Sequence, residues 1–286
     1  RNVSYKANAI ETGLVNEKFN FVNPKAGLTY KINDFNHAYF SYARAQREPN
    51  RTDFEGERPK AEKLNDFELG YRYASEKLSV NVNGYYMKYK DQLVLTGGLN
   101  DVGASKRINV GNSYRAGIEI DASYQPIKQL IIAPTITLSS NKIKELTVDV
   151  DGTPKTFKNT NISFSPDIVA ANALTYIPAK NVQVSLLTKF VGEQFMGNTD
   201  SKASKLDSYL TNDINVTYEL QLKKWFKSIS FNLLANNIFN VKYISNGYYY
   251  TYDDNWSNPG SIKTIEGAGY YPQAQFNILG GFTLKF

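Results

Sequence analysis

The stretch LSVNVNGYYMKYK, Leu78 to Lys90, repeats with a period of two. Leu78, Val80, Val82 and Tyr86 fall on one side, and Ser79, Asn81 and Asn83 on the other. Side chains of a strand point alternately to opposite faces, so the pattern describes a strand with one apolar and one polar face. It exceeds the usual ~5–6 residues of a globular strand and reaches the ~9–11 that cross a membrane.

The same alternation recurs along the chain. In YRAGIEIDASY (114–124), Ile118, Ile120, Ala122 and Tyr124 oppose Glu119, Asp121 and Ser123. In LTNDINVTYEL (210–220), Leu210, Ile214, Val216, Tyr218 and Leu220 oppose Thr211, Asp213, Asn215, Thr217 and Glu219. In FVNPKAGLTYKI (21–32), Val22, Ala26, Leu28, Tyr30 and Ile32 share a face, as do Ile229, Phe231, Leu233, Phe239, Val241 and Tyr243 in ISFNLLANNIFNVKY (229–243). About twelve strands are expected, near 1–10, 18–32, 36–47, 61–74, 78–95, 107–125, 129–145, 163–177, 181–196, 206–220, 228–245 and 273–286. Helical spacing is nearly absent.

The connections sort into two kinds. NDFN (33–36), ASEK (74–77), PIKQ (126–129), PAKN (178–181) and QLKKWFKS (221–228) are short. Residues 47–62, 96–107, 144–162, 197–206 and 246–272 are long. Short and long alternate without a break. An up-and-down meander puts successive connections at opposite ends, so one end is tight and the other elaborated. The expected fold is therefore all-β: a transmembrane antiparallel up-and-down β-barrel whose apolar face meets lipid and whose polar face lines a wet lumen.

Composition agrees. The 286 residues include 21 Tyr and 16 Phe, yet mean hydropathy is -0.43. No run approaches the ~20 apolar residues of a spanning helix. With no cysteine and one histidine, His37, thiolate chemistry, disulfides and a histidine-dependent catalytic or metal site have no material. VDVDGTPK (148–155) has too few acidic positions for a calcium loop and reads as a hairpin turn at Asp151–Gly152. The net charge of +6 is scattered among acidic residues and forms no stripe for nucleic acid. We expect no enzyme, no cofactor and no metal site.

The long connections hold the candidate binding residues. Arg47, Arg51 and Arg58, with Arg44 beside them, crowd one; Tyr249, Tyr250, Tyr252, Trp256, Tyr270 and Tyr271, with Tyr248, crowd another. Guanidinium groups pair with carboxylates and catecholate-like anions, and Tyr and Trp present rigid amphipathic faces. The set suits an anionic, partly aromatic ligand. The alternative is that the arginines pair with Asp53, Glu55 and Glu57 of their own loop while the aromatics form an interfacial girdle.

Several stretches resemble the C-terminal half of the barrel of a TonB-dependent outer-membrane receptor. They are VNPKAGLTY (22–30), YFSYARAQREPNRTDF (39–54), GNSYRAGIEIDASYQP (111–126), LANNIFNVKY (234–243) and AQFNILGGFTLKF (274–286). The resemblance runs over nearly the whole chain, in order. It implies a bacterial outer-membrane location and energy-coupled uptake of a small ligand such as a ferric siderophore or other iron complex. It also implies that residues 1–286 are about twelve strands of a 22-strand barrel. A plug domain and the segment that contacts TonB would lie upstream, and neither is visible here. In the last strand, Phe282, Leu284 and Phe286 alternate toward lipid, and the resemblance implies that they form the signal read by the barrel assembly machinery.

Two other readings remain at this stage. One is a self-contained passive pore of about twelve strands, which planar-bilayer conductance would reveal. The other is a soluble β adhesin or lectin, which would be monodisperse without detergent. The chain opens at Arg1 with no secretory leader, so a processed or partial polypeptide is expected.

Overall fold

The computed structural model describes residues 1–10, 12–55, 58–100, 103, 105–222 and 227–286. Glu57 and the centre of the 221–228 turn lie outside them. The strands are β1 (Asn2–Ala9), β2 (Gly13–Asn20), β3 (Lys25–Lys31), β4 (Asn36–Arg47), β5 (Glu62–Ala74), β6 (Leu78–Leu99), β7 (Ser105–Ile127), β8 (Leu130–Val150) and β9 (Thr153–Asn161). They continue with β10 (Ile168–Ala179), β11 (Val182–Val191), β12 (Gln194–Phe195), β13 (Lys205–Leu206), β14 (Tyr209–Gln221), β15 (Ser228–Asn236), β16 (Ile244–Asp254), β17 (Lys263–Pro272) and β18 (Asn277–Lys285).

Eleven strands form one antiparallel meander, ordered β3-β4-β5-β6-β7-β8-β10-β11-β14-β15-β18. Every neighbour on that path follows in chain order, as an up-and-down barrel wall requires. Among the described residues the sheet does not close: β3 pairs only with β4 and β18 only with β15, so both outer edges are open.

Registration builds the two faces. Leu28, Phe40, Leu69, Gly84, Ile118, Leu138 and Ile168 are successive cross-strand partners. They make a continuous row whose large side chains are all strongly exposed, from Ile168 at 41% to Leu28 at 71%. One residue out of phase, Arg72, Asn81, Asp121 and Thr135 form a polar row on the opposite face. An exposed apolar row that long belongs against hydrocarbon.

Four expected segments change at specific residues. The 18–32 segment breaks at residues 21–24, because Pro24 has no N–H for a ladder. Its first part becomes β2, which pairs with β1 in a separate hairpin. The 163–177 segment becomes strand only at Ile168, after Phe164 at φ 52° and Pro166. The 181–196 segment stops at Val191, before Gly192. The 228–245 segment stops at Asn236, because Asn237 and Asn240 adopt φ of 50° and 53°. The Asn237 side chain then clamps the turn, accepting from Val241 N at 2.9 Å and donating to Val241 O at 2.8 Å. Phe239, Val241 and Tyr243 therefore leave the face expected for them.

Three of the long connections are largely β-hairpins. β6–β7 runs to Leu99 and Ser105, β8–β9 turns at Asp151–Gly152, and β16–β17 fills much of 246–272. Asp151 (φ 54°) and Gly152 (φ 71°) are both left-handed, as a two-residue primed turn demands. The main buried apolar cluster also lies at this end rather than in the wall. It consists of Val94, Val110, Ile143, Leu146 and Ile162, with Ile108 and Val148 against it. The long-hairpin end thus has its own core, which gives it a defined shape.

Candidate functional site

The β16–β17 hairpin carries most of the aromatic candidates. Tyr248 sits opposite Gly269 and Tyr250 opposite Gly267. Each ring lies where a Cβ on the facing glycine would be. Glycine has no side chain to pack in a strand, so a cross-strand ring covers the gap. On that face Tyr248 stacks with Tyr250 at 6.2 Å, Tyr250 with Tyr252 at 6.5 Å, and Tyr252 with Trp256 at 5.9 Å. Tyr271 meets Tyr248 at 6.0 Å. Trp256, at the end of the ladder, is 65% exposed. Its turn is set by Asp254, whose Oδ1 accepts from Trp256 N (3.2 Å) and Ser257 N (3.0 Å). The Ser257 hydrogen bonds, foremost, hold the Asp254 carboxyl below its ordinary value.

Tyr249 points the other way. Its hydroxyl donates to Glu266 Oε1 at 2.6 Å. A Cβ on Gly197 would come within 2.8 Å of its ring, and one on Gly97 within 3.2 Å. Burial, and then the Glu266 carboxylate, push the phenol up to about 12. Tyr249 therefore pins the hairpin to β6 and to the β11–β14 connection. Tyr270 makes a similar link, donating to Ala203 O at 3.3 Å.

Other long-range bonds lace the hairpins together. Asp151 N donates to Thr264 Oγ1 at 2.8 Å, and Thr264 N donates to Asp151 Oδ1 at 2.9 Å. Asn198 Nδ2 donates to Leu95 O at 2.8 Å, while its Oδ1 accepts from Ser163 N at 2.8 Å. Asp200 Oδ1 accepts from Asn161 N at 2.9 Å. β16 even forms a parallel bridge to β6 at Thr251–Gly98.

Among these elements lies a cavity of about 1690 Å³. Tyr250, Thr251, Tyr252 and Asp253 come from β16, Thr96 and Gly98 from β6, Lys106 and Arg107 from β7, and Lys144 and Thr147 from β8. Arg58, Lys60 and Lys158 complete its cationic set. Five carboxylates also line it: Asp53, Glu55, Glu145, Asp149 and Asp253. Asp53 pairs with Arg107 at 3.5 Å and Glu145 with Lys158 at 3.8 Å, while Glu55 accepts from the Asn100 amide. Among the described residues, Lys60, Lys106 and Lys144 are in no ion pair; Lys144 lies over the Tyr114 ring at 5.0 Å.

The loop arginines are dispersed. Arg47 pairs with Glu62 at 3.3 Å and Arg58 with Glu17 at 3.2 Å. Arg51 stands exposed in a single turn of 3₁₀ helix, Arg51–Phe54. Pairing does occur, but with Glu62 at the far end of that connection and with Glu17 of β2, not with Asp53 or Glu55; Glu57 is outside the described residues. Only Arg58 of the three reaches the cavity. Lys60, Lys106, Arg107, Lys144 and Lys158 were missed by sequence reasoning, which singled out the arginine and tyrosine clusters, whereas these cations are spread over three connections. The place of Arg107 and Lys144 on the alternating segments RINV and KELTV was the available signal. Phe282 pairs with Phe231 and Leu284 with Ile229, on the apolar side of β18, and Phe286 is 77% exposed.

Comparison with known proteins matches this architecture. A family described as "TonB dependent receptor-like, beta-barrel" covers residues 2–241. The ferric yersiniabactin uptake receptor FyuA from Yersinia pestis superposes with a TM-score of 0.65 at 16% identity, over 96% of this chain and 38% of that one. The siderophore receptor PiuA from Acinetobacter baumannii gives 0.65 at 16% identity, over 98% and 38%. The copper transporter OprC gives 0.70 at 16% identity, over 96% and 41%. The chain thus spans 38% to 41% of the length of these receptors. An open antiparallel wall, hairpins elaborated at one end and a match over most of the sequence lead to one assignment: this outer-membrane chain belongs to the TonB dependent receptor-like beta-barrel family.

Proposed function

We propose that residues 1–286 are the C-terminal half of a 22-strand barrel and receive a ferric siderophore or other anionic iron complex at the long-hairpin end. Uptake is then driven through a plug domain and TonB. The observation that carries this reading is the cavity lined by Arg58, Lys60, Lys106, Arg107, Lys144 and Lys158 beside Tyr250 and Tyr252. Cations there offer charge-assisted hydrogen bonds to a chelate's oxygens, and the tyrosine ladder offers flat contact area and cation–π faces. With no cysteine, one histidine and two methionines, the chain has few soft ligands for a bare metal ion, so a chelate that brings its own donors suits it better. The open edges of β3 and β18 favour completion by further strands over a self-contained pore. Phe282, Leu284 and Phe286 serve in this reading as the barrel assembly signal.

The test is equilibrium binding by the full-length protein against catecholate and hydroxamate iron complexes, haem, cobalamin and an oligosaccharide. Binding of a ferric chelate, weakened by Tyr252→Ala and Lys106→Gln, is expected. Capture of the oligosaccharide or cobalamin alone, with every iron complex ignored, overturns the proposal.

A further inference from the structure

The connection between β4 and β5 is laid along the β6–β7 hairpin and tied to it at several points. Asp53 pairs with Arg107 at 3.5 Å, Glu55 accepts from the Asn100 amide, and Glu62 Oε2 accepts from Leu93 N at 3.1 Å. Between Glu55 and Glu62 comes a tie of another kind. Asn109 of β7 grips the backbone of Lys60 on both sides: its Oδ1 accepts from Lys60 N at 2.6 Å, and its Nδ2 donates to Lys60 O at 3.0 Å. The same Nδ2 donates to Asp91 O of β6 at 2.7 Å.

An amide nitrogen carries two hydrogens, so it can serve both carbonyls at once, and no donor is left over. Turned over, the amide would set its oxygen against two carbonyl oxygens, so its orientation is fixed. Asn109 thus does for Lys60 what a neighbouring strand would do, just before β5 begins at Glu62. Lys60 lines the cavity with Arg58 and Lys106. Among the described residues it is in no ion pair, whereas Arg58, on the other side of Pro59, is engaged by Glu17 at 3.2 Å. A lysine is a point charge on a flexible four-carbon stem. Fixing the backbone from which that stem springs keeps the free charge at the cavity wall and lowers the ordering cost of using it.

We propose that Asn109 is a positioning residue for the Lys60 cation, and that the pair makes the cavity prefer anionic over neutral iron chelates. The proposal rests on the reading of the cavity as a ferric-chelate site. Asn109 acts through Lys60, because its own donors are taken by the backbone.

Lys60→Gln, Asn109→Leu and the double variant of the full-length protein are titrated with two ferric complexes, an anionic tris-catecholate and a neutral tris-hydroxamate. Each single variant should bind the catecholate about tenfold more weakly, as loss of one hydrogen bond to a charged group does. The double variant should be no weaker than either single one, since both changes remove the same cation from its place. Affinity for the neutral complex should stay unchanged in all three. Retained heat-modifiable gel mobility shows that the variants are folded; should Asn109→Leu fail that test, Asn109→Ser, too short to reach Lys60, takes its place. If the parent binds the hydroxamate too weakly to measure, the comparison of single and double variants decides. Additive losses in the double variant, equal losses for the two complexes, unchanged catecholate affinity in either single variant, or a parent that prefers the neutral complex overturns the inference and leaves the uptake reading standing. A parent that binds neither complex overturns both.

Discussion

The ring of Tyr250 lies over the bare α-carbon of Gly267, its direct partner across the β16–β17 hairpin. The arrangement occurs three more times, at Tyr248–Gly269, Tyr39–Gly70 and Tyr85–Gly117. In the hairpin it holds a ladder of rings in one orientation; in the wall it fills the polar face beside glycines. A side chain on any of these glycines must displace a ring. Gly70→Val should therefore lower wall stability by about 1–3 kcal/mol, read as the urea midpoint of the refolded protein. Gly267→Val should leave that midpoint unchanged but weaken ligand binding through the displaced Tyr250.

The reciprocal bonds between Asp151 and Thr264 join two hairpins more than a hundred residues apart. Thr264→Val removes the side-chain half and should cost about 1 kcal/mol locally. Hydrogen exchange should speed up at the tips of β8–β9 and β16–β17 and stay unchanged in β4 and β5. Uniform protection in the variant would show that the hairpins do not depend on this contact.

Tyr249 supplies a pH dependence. Its phenol moves from 10.0 to about 12 on folding. A raised pKa means that its contribution is fully present below pH 10 and is lost as pH rises toward 12. Near-ultraviolet titration should count one late-ionising tyrosine fewer in Tyr249→Phe than in the parent protein. Docking of the hairpin, followed by protease sensitivity, should fail across the same window in the parent protein and show no such step in the variant.

Arg107 neutralises Asp53, whose side chain is only 4% exposed. Arg107→Ala leaves that carboxylate buried without its cation and should destabilise the Arg51–Phe54 turn by about 1–3 kcal/mol. Arg107→Lys should recover part of this. Limited proteolysis of residues 48–61 checks both.

Deleting Phe286 should lower the amount of protein in the outer membrane while leaving ligand affinity of the inserted fraction unchanged. Surface labelling and binding on the same cells separate the two; normal surface levels would remove the last strand as an assembly signal.

The wall is legible in the sequence. Alternation in residues such as Leu78, Val80 and Val82 specifies a two-faced strand locally, since a strand's period is two. The order of short and long connections specifies a meander. Breaks were less legible, because they depend on single backbone conformations such as those of Asn237 and Asn240. The binding end was the least legible. Segments 96–107 and 144–162 look like polar loops, since apolar residues such as Leu146, Val148 and Ile162 form a core only once the hairpins meet. Which cations converge is set by registers and by contacts such as Asp151 with Thr264, between residues far apart in the chain. Sequence alone therefore determined a membrane-facing antiparallel wall, because that pattern is local. Only tertiary structure decided that Arg58 meets Lys106, Lys144 and Tyr250 around one cavity while Arg47 and Arg51 stay apart, because that depends on how separate hairpins pack.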